Sequence, residues 1–536
     1  MIKIKNRDNL YFEGMDPWEE LMPIRKLKLL KSSWAQVFRV HVLPKLPVQK
    51  MIRYFHASIG RPSKELTAMC GACVLQQFFD LTDEETRDQL AFNQQWHYAL
   101  DMLDSDDQII SLKTLWSCRH ILVHDNAAKQ IFDSVADKLA DAYGVDKKFQ
   151  RLDSVHIHSN MARLGRIRLL SRVCSNFLKN LKRHYPDLYA TVSAAIKSRY
   201  SKKDEDPDYF GNARPSTSQK RLEDIAPDLY ELIGQFKANE QIRSMHTYKQ
   251  LERVFHEHCS VDNDRVSLKP AKEISSDSLQ NPSDDDATYD GHKGQGYQVQ
   301  IMETYSKKDS ADDSEHKSLQ LLTYVEVEPA HCHDSDAVEP ALENTKERDL
   351  LPDELEADTL YGSKANVEKA KEHHVNLVAP IPGKKPDNNL SSFSFDEATH
   401  DVKACPQGRA PTSVKHNKKG SISCIWNKSV CDHCAQLGGC SVRESKKGYL
   451  LRYTPQQAET AIRRHYEQSD AFKEKYRYRS GVEASISRYI HMTGARRSRY
   501  RGLQRVSYAA RLKAVGINVF RTAQYLLEQD DNACFA

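Results

Sequence analysis

Phe149-Gln-Arg-Leu-Asp153-Ser-Val-His-Ile157 is the stretch on which the fold turns. Upstream of it, apolar residues recur at spacings of three and four, as in LTAMCGACVLQQFFDL (66–81) and IISLKTLWSCRHILV (109–123), which predicts helices, with Asp83 of Thr-Asp-Glu-Glu as a cap. Here the period drops to two and β-branched Val155 and Ile157 enter, so a strand begins with Asp153 inside it. An aspartate among apolar strand residues is costly unless it is paired or coordinates a cation.

Downstream the chain reads helical over 160–200, as a polar loop over 201–219, helical again from Asp224 to about His258, and as a polar linker over 260–296. From 297 the pattern alternates. GYQVQIMETY and LLTYVEVEP are paired strands, DAVEPALENTKERDL a helix, LEADTLY a strand, SKANVEKAKEHH a helix and VNLVAPIP a strand. With 149–157 as first strand, this is the order of a ribonuclease H-like mixed sheet, an α/β fold. The predicted units are an all-α N-terminal domain (1–145), the first strand of the core (146–158), a helical and linker insertion (159–296), the rest of the core (297–383), a cysteine-rich insertion (384–446) and C-terminal helices (447–536).

The whole chain has 536 residues, 39% hydrophobic and 28% charged, too many for one core and too apolar for disorder. No stretch reaches the roughly 18 uncharged apolar residues of a membrane helix, and the first residues lack the apolar core of a signal peptide, so membrane and secreted readings are disfavoured. Asp8-Asn-Leu-Tyr-Phe-Glu-Gly14 resembles an engineered protease-cleavage linker but departs from it at Asp8 and Glu13, and is given no function. The 78 basic and 74 acidic residues nearly cancel to +4, yet residues 471–515 hold twelve Lys/Arg against two acids, with six tyrosines in or near them (Tyr466, Tyr476, Tyr478, Tyr489, Tyr500, Tyr508). Such a surface fits a phosphate backbone, the plain alternative being a solvated helix face.

Three carboxylates have informative contexts: Asp153 mid-strand, Asp358 ending the strand LEADTLY, and Glu483 on a helix. Converging hard oxygen donors suit Mg²⁺ or Mn²⁺, and two such ions serve phosphoryl transfer. Five of the twelve cysteines fall between 405 and 440. Cys405, Cys431, Cys434 and Cys440 form C-x25-C-x2-C-x5-C, compatible with a tetrahedral structural zinc, with Cys424 and His433 as alternative ligands and packed reduced thiols as the plain alternative. Trp426 is expected to pack against this loop. His331-Cys332-His333-Asp334 reads as a loop, and His156 and His158 as core or surface histidines. No P-loop is present.

At these residues the sequence resembles bacterial insertion-sequence transposases with an Asp-Asp-Glu triad. The likeness runs through Gly60-Arg-Pro, Leu-Thr-Asp-Glu-Glu, the box Leu152-Asp-Ser-Val-His-Ile-His-Ser-Asn-Met, the box Ala357-Asp-Thr-Leu-Tyr-Gly-Ser, and Tyr-x2-Arg-x3-Glu at Tyr476, Arg479 and Glu483. A related group carries a similar cysteine insertion. The resemblance implies that Asp153, Asp358 and Glu483 hold Mg²⁺, that Tyr476 and Arg479 contact the DNA phosphate, and that the helical N-terminal domain binds terminal inverted repeats. The family's usual Lys seven residues past the Glu is Ile490 here, and Arg488, the nearest base, is expected to join Tyr476 and Arg479 as a contact of the DNA phosphate. Implied partners are duplex DNA at transposon ends and target and a second copy in a homodimeric synaptic complex, in the cytoplasm at the nucleoid. The rival expectation is a zinc-stabilised, sequence-specific DNA-binding protein without catalysis.

Overall fold

The computed structural model describes residues 2–4, 16–56, 63–103, 105–200, 215–263, 265–307, 318–383, 390–418 and 420–533. The linker-like Asp8–Gly14, the Gly60-Arg-Pro motif, Cys534 and most of the 201–219 loop lie outside them.

The central sheet is built from β1 (Phe149–His158), β2 (Gly294–Thr304), β3 (Leu322–Pro329), β4 (Glu354–Ala357) and β5 (Asn376–Val378). Its order is β3-β2-β1-β4-β5, with β2 antiparallel to both β3 and β1, and with β1, β4 and β5 parallel. This is the mixed order anticipated from the sequence. A short strand, Thr288–Asp290, adds to β2.

Alternation along β1 sends its side chains to two different cores. Val155 and Ile157, with Val299 and Ile301 of β2, pack against the N-terminal helices and the long α10 (Leu503–Ala533). Leu152 and Met302 face α5 (Val338–Glu347) and α6 (Lys364–Glu372) on the other side. The N-terminal helices, among them α1 (Leu66–Phe78) and α2 (Ala127–Ala142), thus share one hydrophobic core with the sheet. One helix begins differently from expectation: Thr82, not Asp83, is the cap, in a reciprocal pair with Glu85. Asp83 is released to bond Arg119.

After β1 comes a helical unit with its own core, containing α3 (Arg166–His184) and α4 (His246–His258). The stretch read as a polar linker, 260–296, contains a hairpin (Cys259–Asp262 with Arg265–Leu268). The buried Asp284 anchors it. Its carboxylate accepts hydrogen bonds from the hydroxyls of Ser159 and Tyr297 and from the Gly502 N–H, an anchor that polar composition cannot reveal. The cysteine-rich insertion is a four-stranded antiparallel sheet of β6 (Ser413–His416), β7 (Ile422–Trp426), β8 (Arg443–Ser445) and β9 (Gly448–Tyr453) in the order β6-β7-β9-β8. The chain closes with α7 (Pro455–Glu467), α8 (Asp470–Tyr476), α9 (Gly481–Thr493) and α10. Among the described residues no helix is long and apolar enough to cross a membrane.

Candidate active site

Leu152 of β1 lies opposite Ala357 of β4 in parallel register, so the next residues, Asp153 and Asp358, emerge side by side. Asp358 ends the strand by capping a short 3-10 turn, accepting from the Thr359 N–H at 2.6 Å. Glu483 comes from the first turn of α9. The expectation of one continuous helical face for Tyr476, Arg479 and Glu483 needs correcting. Tyr476 ends α8, Arg479 lies in a 3-10 turn (Arg477–Ser480), and α9 starts at Gly481. The turn still brings them together.

The centre of the arrangement is the Arg479 guanidinium. Its Nη2 lies 2.8 Å from Asp153 Oδ2 and 3.9 Å from Asp358 Oδ2, and its Nη1 lies 2.9 Å from Glu483 Oε1. Three carboxylates distant in sequence therefore bracket one cationic group. Burial pushes the Asp153 carboxyl above its usual range, Arg479 opposes this, and Asp358 and Asp334 add to it. Asp334, within the segment read as a loop, is itself buried and accepts from the side-chain amides of Gln298 and Gln300. Sequence reasoning passed it over because nothing in His-Cys-His-Asp signals burial against Gln298 and Gln300 of β2. Tyr476 stacks on Phe472 with ring centroids 5.4 Å apart, and burial, with Asp358 nearby, raises its hydroxyl pKa.

The donors suit hard cations: two aspartates and a glutamate, with no soft ligand beside them. As the side chains stand, no group of three or more His, Cys, Asp or Glu among the described residues is arranged to hold a metal ion, neither the three carboxylates around Arg479 nor Cys405, Cys431, Cys434 and Cys440.

Arg488 is placed elsewhere. Five residues beyond Glu483, it turns about 140° around α9 and lines a cavity of about 460 Å³ with Arg151, Arg521 and Tyr478. The buried Glu303 accepts from Arg151 Nε at 2.7 Å and Arg521 Nη1 at 2.9 Å. Arg151 also donates to the Tyr478 carbonyl, just before Arg479. Ile490 is buried.

The basic segment 471–515 is less available than its composition implies. Lys473, Lys475, Arg477, Arg479, Arg499, Arg511 and Lys513 pair with carboxylates, and Tyr489 and Tyr508 are core residues. Exposed arginines with no carboxylate partner among the described residues remain at 488, 496, 497, 501 and 505.

Cys405, Cys431, Cys434 and Cys440 line one cavity of about 540 Å³. Burial raises the Cys431 thiol pKa, and the thiols of Cys440, Cys405 and Cys434 around it act in the same direction. Cys424 is buried apart from them on β7, near the Tyr453 hydroxyl, and His433 bonds the Ser429 carbonyl. Trp426 packs as expected, 2% exposed, its indole N–H on the Arg409 carbonyl.

Fold and site thus define a mixed α/β protein in which two parallel strands and a C-terminal helix present three carboxylates to one point. A family model described as a transposase DDE domain matches residues 404–523, and one described as a transposase domain matches residues 33–120. Together they indicate an insertion-sequence transposase of the DDE type. No curated protein matches the chain.

Proposed function

We propose that the protein is a DNA transposase whose ribonuclease H-like core cuts and joins DNA strands at the ends of a mobile element. The observation that carries this is the convergence of Asp153, Asp358 and Glu483 on the Arg479 guanidinium. Asp153, Asp358 and Glu483 would hold two Mg²⁺ or Mn²⁺ ions, which when bound supply charge neutralisation at the attacking and leaving oxygens of a phosphodiester. Arg479 occupies the space among the carboxylates, so it has to withdraw for cations to enter. Its planar fork, with five donors, then suits a scissile phosphate oxygen one side chain away. Tyr476 stands beside it to contact the same phosphate. The helical N-terminal domain binds the terminal inverted repeats, and a second copy pairs the two ends. Cys405, Cys431, Cys434 and Cys440 hold a structural zinc, and the single cavity they share supports that reading over Cys424 or His433 as ligands.

The test is cleavage of a labelled duplex carrying the element's end. Asp153→Ala, Asp358→Ala and Glu483→Ala are each expected to abolish Mg²⁺-dependent nicking while leaving duplex binding nearly intact, because losing a donor removes the stabilisation of developing charge. Near-wild-type nicking by one variant removes that residue from the triad.

A further inference from the structure

The 33 residues from Ser154 to Pro186 contain seven Lys or Arg and no Asp or Glu, in a chain with 74 acidic residues. Most of them form α3. Its apolar side, including Leu170, Val173, Phe177 and Leu181, is fully buried in the core of the inserted helical unit. Its outer side carries Arg168, Arg172, Lys179 and Arg183, all exposed. At 100° and about 1.5 Å per residue these four fall within an arc of about 60° along about 22 Å. None of them pairs with a carboxylate among the described residues. Arg166, by contrast, is turned inward and donates to the carbonyls of His258 and Lys269.

This stripe is reached from the catalytic strand over a basic surface. β1 continues five residues past Asp153, about 17 Å, and at its end the His158 N–H donates to the Arg496 carbonyl while the Ser498 N–H donates to the His158 carbonyl. The exposed Arg496, Arg497 and Arg501 lie on that loop, and Arg501 Nε donates to the Asn160 side chain at 3.2 Å. The chain then leads from Asn160 into α3. A basic amphipathic helix can also mark a membrane surface, but here the apolar side is used up in packing, leaving only the charged side for a partner. A straight cationic stripe about two-thirds as long as one turn of B-DNA fits a phosphate backbone.

We propose that the outer face of α3 is a second DNA-binding surface, holding duplex DNA by its backbone and without sequence preference on the side of the active site toward which β1 points. This rests on the reading of the protein as a DNA transposase. The full-length variant Arg168→Ala/Arg172→Ala/Lys179→Ala/Arg183→Ala is compared with wild type for binding a random-sequence DNA duplex across a salt series. The slope of log affinity on log salt should become shallower by about 3 to 4, the counterion release of four phosphate contacts. Because all four side chains are exposed, the melting temperature should hold. If it does not, Arg168→Lys/Arg172→Lys/Arg183→Lys, which should keep the wild-type slope, and Lys179→Glu, which should lower it, decide the matter. An unchanged slope in the charge-removing variants overturns the proposal, as does a loss confined to an RNA duplex of equal length. Wild-type protein that binds and nicks element ends while the variant keeps its slope sinks the α3 surface alone. Wild-type protein with no affinity for duplex DNA sinks both readings.

Discussion

Asp153, Asp358 and Glu483 are three of 74 acidic residues, and only their surroundings distinguish them. Asp153 is nine-tenths buried on a strand, a position an unpaired carboxylate does not tolerate, and Arg479 satisfies it at 2.8 Å. That same guanidinium serves Glu483 through its other terminal nitrogen, a geometry that a lysine ammonium cannot reproduce. Arg479→Lys is therefore expected to leave filter binding and its salt dependence near wild type, while single-turnover cleavage falls about tenfold or more through loss of alignment. Unchanged cleavage would return Arg479 to the solvated basic surface. The motif made Arg479 and Glu483 legible as neighbours. It left Arg488 looking equivalent, and the turn of α9 places Arg488 in a different cavity.

Among elements, the cysteine-rich insertion shows how far spacing alone reaches. C-x25-C-x2-C-x5-C names four thiols, and β7 and β9 form the frame from which the segment 431–440 folds back toward Cys405. Alternation along β7 turns Cys424 into the core beside Leu451 and Tyr453, which the spacing could not exclude. Elemental analysis of the purified protein should find about one zinc per chain. A strong chelator should lower the melting temperature, and Cys431→Ser should reduce the zinc content. Folded, active protein without zinc would mean that these are packed reduced thiols. The 3-10 turn before α9 shows the opposite limit. Its spacing reads as helix, but Arg151, reaching across from β1, holds the Tyr478 carbonyl and passes so close to Gly481 that a Cβ there would meet its Nη1 at 2.0 Å.

On the scale of the whole molecule, the N-terminal helices and the sheet are joined through α10, whose Val515, Ile517 and Val519 are all buried in the common core. Gly516 packs directly against α1, where an added Cβ would lie 1.9 Å from Phe78 Cδ2. Alanine ordinarily stabilises a helix interior relative to glycine by about 1 kcal/mol. Here overpacking should reverse the sign, so that Gly516→Ala costs about 1–3 kcal/mol in urea unfolding, with partial recovery in Gly516→Ala/Phe78→Leu. A Gly516→Ala protein more stable than wild type would show that α10 and α1 can separate freely. Asn518, two residues on, bonds both the N–H and the carbonyl of Leu322 at the start of β3, a further tie between that helix and the sheet. By itself the sequence determined the main strands and helices of the core, its mixed α/β character, and the identity of the candidate carboxylates and cysteines, because periodicity and ligand chemistry are local properties, but not the hairpin within 260–296 or the 3-10 turn before α9. Only the tertiary structure decided that one arginine holds the three carboxylates together, that Asp334 is buried against Gln298 and Gln300, that half the basic segment is neutralised internally, and that the all-basic side of α3 is left facing outward. Those outcomes depend on which residues remote in sequence arrive at the same place, and on which charges burial obliges to pair.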